Sequence, residues 1–281
     1  STMVGPNDVW AAGEQAKVGF GGVAHWDGTK WSKVPVSEAP EGLMHEYQDM
    51  TSFAADDVWM AGKNWENSPE SPSSGSIQHW DGTAWNHVEL PKLDTPTWNL
   101  STIGGTATDD LWARGGSTGN DTTKGIALHW NGQAWKGFPM PTFDGAGNIE
   151  FTDVVANGPD DVHAVGTTTF VENNDVVYRH VAVHWNGQEW ATSETPDVLG
   201  TLHDVTVAGN QLWAFGSERY DGYATRGYAL RYEDGTWKKA EAPESGSLAS
   251  GTELANGSLL TVGSTSNPDG GRQVAGWRHE G

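Results

Sequence analysis

Between Phe151 and Asn157 apolar and small polar side chains alternate, and Gly158-Pro159-Asp160-Asp161 then breaks the run. Alternation with a period of two predicts a strand with one face buried. Val162–Gly166 is short and β-prone, a variable stretch follows, and Val181–Trp185 predicts a third strand. Trp190–Thr192 opens a fourth, after Asn186-Gly187. Asn-Gly and Asp-Gly between apolar runs are strong hairpin signals, because both turn residues are expected to accept positive φ. The same slot reads Asp27-Gly28, Asp81-Gly82 and Asn131-Gly132. Amphipathic helical signatures are absent, so the stretch predicts a four-stranded antiparallel meander, with strands A to D in chain order.

The meander repeats. Asp57-Val58-Trp59-Met60-Ala61-Gly62 returns as Asp8–Gly13, Asp110–Gly115, Asp161–Gly166 (His163 in the Trp place) and Gln211–Gly216, and in degraded form as Ser258–Gly263. His79-Trp80-Asp81-Gly82-Thr83-Ala84-Trp85 returns as His25–Trp31, His129–Trp135, His184–Trp190 and Arg231–Trp237. A column through Trp10, Trp59, Trp112, His163, Trp213 and Leu260 therefore recurs at about 50 residues, a period of solenoids and propellers. One such sheet cannot bury both faces, so the units must stack on one another. Tryptophan is 16 of 281 residues, and large flat side chains at fixed positions suit the gap between twisted sheets. The predicted fold is all-β: a single six-bladed β-propeller domain over 1–281, with blades near 1–36, 47–90, 99–140, 150–195, 201–242 and 250–281. The last blade lacks strand D. Both ends fall inside repeats, so they read as trimmed, with any signal peptide upstream.

Charge narrows the partners. Lys+Arg 16 against Asp+Glu 37 gives a net −21, a field that repels phosphate backbones and anionic lipid. Nucleic acid is therefore not an expected partner. No apolar run of about 18 residues occurs, so membrane insertion is not expected either. With no cysteine, disulfide staples and thiolate zinc sites are excluded.

The pattern Asp-Asp-Val-Trp-x-x-Gly followed by His-Trp-Asp-Gly-Thr-x-Trp resembles the propeller repeats of secreted bacterial proteins and, more loosely, the bacterial propeller lectins. The resemblance covers essentially the whole chain. It implies a secreted protein, and it is compatible with target recognition of the kind propeller lectin subunits perform in some secreted toxin particles. The Asp box of sialidases fails to match, because Asp81 and Gly82 are adjacent and the serine is missing. The spacing of WD40 repeats is likewise absent.

In a meander the A–B and C–D turns lie at one end of the blade, and the B–C and D–A connections at the other. The first set is short and stereotyped. The second is long and differs from blade to blade, as in Lys63–Gly75, Thr167–His180, Ser217–Gly227 and Pro91–Trp98. Variable loops on a repetitive scaffold are where binding residues concentrate. Trp65 and Trp98 belong to this face, with His45, Glu46, Tyr47, Tyr220, Tyr223 and Arg226. Aromatic rings that stack on a pyranose, among amides and carboxylates that bond its hydroxyls, predict a carbohydrate-binding, non-catalytic module. A protein partner on the same face is the alternative, as adaptor or targeting subunit of a larger secreted complex.

Near the start of strand A, Asp49, Asp153 and Asp204 recur, with Thr102 and Glu253 in other blades and His203 alongside. Such carboxylates at the axis of a propeller could bind calcium or polar ligand groups, or serve a hydrolase or lyase; bonding to backbone amides of the next blade is the competing expectation. Asn173-Asn174-Asp175 and Asn120-Asp121 are further calcium candidates, although neither follows an EF-hand pattern. No other cofactor is suggested. His25, His79, His129 and His184 are expected to bond turn carboxylates such as Asp57 and Asp161, and His163 to sit between blades. No nucleophile-elbow, zinc-helix or phosphate-loop motif occurs.

Overall fold

The computed structural model describes residues 1–15, 20–39, 43–66, 72–117, 124–221, 224–244, 246–254, 256–266 and 272–279. The fold is all-β: six small antiparallel sheets, the blades of a six-bladed β-propeller. Blade 1 holds β1 (Thr2–Gly5), β2 (Asp8–Gln15), β3 (Phe20–Trp26) and β4 (Trp31–Val34). Blade 2 holds β5 (Met44–Ala54), β6 (Asp57–Trp65), β7 (Ser74–Trp80) and β8 (Trp85–His87). Blade 3 holds β9 (Trp98–Ala107), β10 (Asp110–Ser117), β11 (Lys124–Trp130) and β12 (Trp135–Phe138). Blade 4 holds β13 (Ile149–Gly158), β14 (Asp161–Glu172), β15 (Asp175–Trp185) and β16 (Trp190–Thr192). Blade 5 holds β17 (Gly200–Ala208), β18 (Gln211–Asp221), β19 (Ala224–Glu233) and β20 (Thr236–Ala240). Blade 6 has three strands among the described residues: β21 (Ser247–Glu253), β22 (Leu259–Ser266) and β23 (Arg272–His279). Every sheet is paired in simple meander order. The chain divides into two compact units, Ser1–Met140 with blades 1 to 3 and Pro141–Gly281 with blades 4 to 6.

Each repeated residue has a mechanical job. The glycine closing the Asp-Val-Trp motif faces a bulge in strand A. The pairing skips a residue between Tyr47 and Asp49 opposite Gly62 and Ala61. It does the same between Phe151 and Asp153, Leu202 and Asp204, and Leu248 and Ser250. At the bulge the strand A carbonyl leans so close that a Cβ on Gly62, Gly115, Gly166, Gly216 or Gly263 would lie 1.9–2.0 Å from it. The bulge then turns the following residue toward the next blade, a use of bulges seen wherever a side chain must be re-aimed.

The tryptophan column fills the seams between blades. Trp10 of blade 1 packs on Trp80 and Trp85 of blade 2, at ring separations of 4.9 and 5.4 Å. Trp59 meets Trp130 and Trp135 of blade 3 in the same way, at 5.4 and 6.1 Å. In the second unit His163 takes that place against Tyr232 and Trp237 of blade 5, as its column position predicts. The strand C histidines do bond turn carboxylates: His25 to Asp8, His79 to Asp57, His129 to Asp110 and His184 to Asp161, all at 2.7–2.8 Å.

Two expectations need correction. Among the described C–D turns, only Asp234-Gly235 places both turn residues at positive φ (50° and 82°). In the other C–D turns glycine alone does so, and the preceding Asp or Asn caps the turn instead. Asp27 Oδ1, for example, accepts from the amides of Thr29 and Lys30, and these bonds with the Thr29 hydroxyl hold its carboxyl down at about 2. The supposed loops Thr167–His180 and Ser217–Gly227 are largely strand: β14 and β15 pair through to Glu172↔Asp175, and β18 and β19 through to Asp221↔Ala224. Asn173 and Asn174, at φ 53° and 66°, make the two-residue turn that joins β14 to β15, which accounts for them without an ion. Asn120-Asp121 lies outside the described residues.

Candidate functional site

The bulges explain the recurring acids first. Asp49 Oδ2 accepts from the Thr102 hydroxyl and the Ile103 amide of blade 3, each at 2.9 Å, while Oδ1 accepts from its neighbour Met50. Asp153 accepts from the Val205 amide of blade 5, and Asp204 from the Gly251 amide and Ser250 hydroxyl of blade 6. These carboxylates latch one blade to the next. The register also places Ser250, not Glu253, as the sixth-blade counterpart. Burial pushes the Asp49 carboxyl up, against three hydrogen bonds that pull it down. His203 is the bulge residue itself, exposed, with Nε2 3.1 Å from the Thr201 hydroxyl. A group of acids poised for catalysis or calcium is thus replaced by interblade bonds, because the bulge that exposes His203 turns its neighbour inward.

In the first unit the ends of blade 2 enclose a cleft of ≈ 700 Å³. It lies at the variable-loop end, between Asn64, Ser74, His87, Lys92 and Trp98. Volumes of this size accommodate small ligands. Trp98 is 7% exposed, with its six-membered ring over Gly75, where a Cβ would fall 2.1 Å from Cζ3. Its amide donates to the Ser73 carbonyl at 2.9 Å, tying blade 3 to the loop of blade 2. An exposed stacking platform was expected at Trp98; packing into the seam instead leaves it as a wall of the cleft.

Beneath the cleft lies a buried polar network. His45 Nδ1 lies 2.6 Å from Asn64 Oδ1, and His45 Nε2 lies 3.1 Å from both the Ser37 carbonyl and Gln78 Nε2. Gln78 also donates to the Tyr47 hydroxyl at 3.2 Å. Burial lowers the His45 pKa and raises that of Tyr47, so both are neutral at pH 7. His45 and Tyr47 are therefore supports for Asn64 rather than ligand contacts, since β5 turns both side chains into the blade. Glu46 is paired with Lys63 at 3.1 Å and accepts from Gln48. Trp65 is half-buried, its Nε1 without a partner among the described residues.

Arg226 belongs to the second unit. It grips Glu218 through Nε and Nη2 at 3.0 and 3.1 Å, and Lys239 joins the same carboxylate. The Arg226 side chain, first of these causes, holds Glu218 below its ordinary value. Tyr223 and the side chain of Tyr220 lie outside the described residues. The expected site residues thus separate: His45, Tyr47 and Trp98 gather around one cleft, and Arg226 pairs elsewhere.

The comparisons speak to the fold. No family model matches the chain, and no curated protein matches it. Solved structures do. A polysaccharide lyase described as a PL25 ulvan lyase superposes with a TM-score of 0.62 at 8% identity, over 98% of this chain and 78% of that one. YCF48 bound to a D1 peptide gives a TM-score of 0.45 at 13% identity, over 86% of this chain and 74% of that one. At 8% identity the lyase likeness shows a shared fold and nothing finer.

Sequence reasoning found the end of the blade but missed His87, Lys92 and Asn64. The loop Pro91–Trp98 does carry a signal, since its length and sequence differ from those of the other D–A connections. Nothing in the local pattern shows that the last residue of strand D, His87, opens beside it. A second hollow, ≈ 590 Å³, opens at the short-turn end of blades 5 and 6. Its basic side chains are paired, Arg231 and Lys238 with Glu233 and Lys239 with Glu218.

Proposed function

We propose that the chain is a secreted, non-catalytic module that binds carbohydrate in the cleft between Asn64 and Trp98. The observation that carries this reading is the lining itself. The Asn64 amide, Ser74 and Thr95 hydroxyls, His87 imidazole and Lys92 ammonium border Leu90, Leu93, two prolines and the edge of Trp98. Hydroxyl-rich rings with apolar faces match such a surface. With Asn64 Oδ1 held by His45, the amide nitrogen is what Asn64 offers a ligand. The net −21 favours neutral sugars over polyanions. Binding to immobilised neutral glycans should fall at least tenfold in the double variant His87→Ala, Lys92→Ala, with the melting temperature unchanged. Unaltered binding, or no glycan bound by the wild type, would sink the reading.

A protein partner is the second reading, favoured by the β14–β15 hairpin. Val171, Val176 and Tyr178 there are 72%, 54% and 49% exposed, an apolar group suited to contact within a larger secreted assembly. Stoichiometric co-purification lost on Val171→Ser with Val176→Ser, and no glycan binding, would favour it.

A further inference from the structure

Blade 4 departs from its neighbours at one position. In blade 2 the Asp57 Oδ1 accepts from two donors, Trp59 Nε1 at 2.7 Å and His79 Nε2 at 2.8 Å. Blade 4 keeps the geometry and changes the chemistry. Asp161 Oδ1 stands 2.9 Å from His163 Nε2 and 2.8 Å from His184 Nε2. An indole N–H can only donate, whereas an imidazole nitrogen can donate or bind a metal. The exchange of Trp for His therefore turns a fixed hydrogen-bond donor into a third ligand atom. All three ligand atoms lie within 4.8 Å of one another.

We propose that Asp161, His163 and His184 form a binding site for a divalent transition-metal ion, with zinc the best match. Two imidazoles and one carboxylate are a common zinc donor set, at metal distances of about 2.0–2.2 Å. Calcium and magnesium prefer oxygen ligands and fit poorly. His163 is 2% exposed, held between His184 and the Tyr232 and Trp237 rings. Asp161 and His184 border solvent, at 43% and 28% side-chain exposure, which leaves a path for the ion and a fourth position for water. Asn157 Nδ2 donates to the other Asp161 oxygen at 2.8 Å, so Oδ1 stays directed at the histidines. The two rings stack at 4.3 Å and 14°, so binding turns the more exposed His184 out of the stack. Binding replaces the Nε2–H tautomer of each ring by the Nδ1–H tautomer, so each imidazole stays neutral and turns an Nε2 lone pair to the ion.

The site lies at the short-turn end of blade 4 and is separate from the carbohydrate reading. The test is titration calorimetry of the whole chain with zinc, paralleled by cobalt(II) visible absorption. One ion per chain is expected, with affinity at least tenfold lower in His163→Trp and in His184→Asn, and loss of the cobalt bands in both. His163→Trp restores the residue that Trp10, Trp59, Trp112 and Trp213 supply in other blades, so its fold is favoured. Should that variant misfold, His184→Asn gives the same readout. No ion taken up by the wild type, or equal affinity in the variants, would overturn the assignment.

Discussion

Replacing Gly115 by alanine should cost about 3 kcal/mol or more and leave much of the protein insoluble, as overpacking against backbone does at its worst. The new Cβ would sit 1.9 Å from the Asn99 carbonyl oxygen and 2.8 Å from Leu100 Cα. Both are backbone atoms of the paired strand, so neither can rotate away. Relief requires the bulge between Leu100 and Thr102 to straighten, which shifts the register of β9 against β10. Blade 1 provides the control. Gly13 occupies the same column, yet a Cβ there meets nothing within 4 Å, and the described pairing of β2 with β1 runs only from Asp8 to Trp10. Gly13→Ala should therefore change stability by less than about 1 kcal/mol. Chemical denaturation of the pair checks the claim. Equal tolerance at both positions would show that the glycine column is not there for the bulge.

The second large effect is expected at Asp49. Alanine there leaves the Ile103 and Met50 amides and the Thr102 hydroxyl without their acceptor in a seam closed to water. Each buried group left unsatisfied costs about 1–3 kcal/mol, so with three of them a total of about 3 kcal/mol or more is anticipated. Asparagine should recover little, since it aims an N–H at one of the amides. Denaturant melts of Asp49→Ala and Asp49→Asn would show this, and a change below about 1 kcal/mol would remove the latch role.

These two effects also show what the sequence does and does not disclose. The repeat that reads Asp-Val-Trp-x-x-Gly in blades 1 and 2, and in altered form down to Ser258–Gly263, locates strand B in each blade, because alternation and turn residues are local properties. The acids at 49, 153 and 204 were visible as a column, and bonding to the next blade was one of the readings they allowed. What settles the matter is the bulge, a matter of register between strands, and no single strand records it. Trp98 misled for a related reason. A tryptophan outside the repeat columns and beside a variable loop has the look of a binding aromatic, and only Gly75, distant in sequence, makes room for it inside. Thr167–His180 reads as a loop from its length and irregular sequence, and only the pairing of β14 with β15 shows it to be a continuous hairpin. His163 was legible as an exception, and its pairing with His184 follows from register.

The binding account is tested most directly by amide chemical-shift mapping of the labelled protein with a neutral oligosaccharide it retains. Perturbations are expected at Asn64, Ser74, His87, Lys92 and Trp98, with the turns Asp27–Lys30, Asp81–Ala84 and Asn131–Ala134 unmoved. Shifts gathered at those short turns, with the cleft silent, would contradict it.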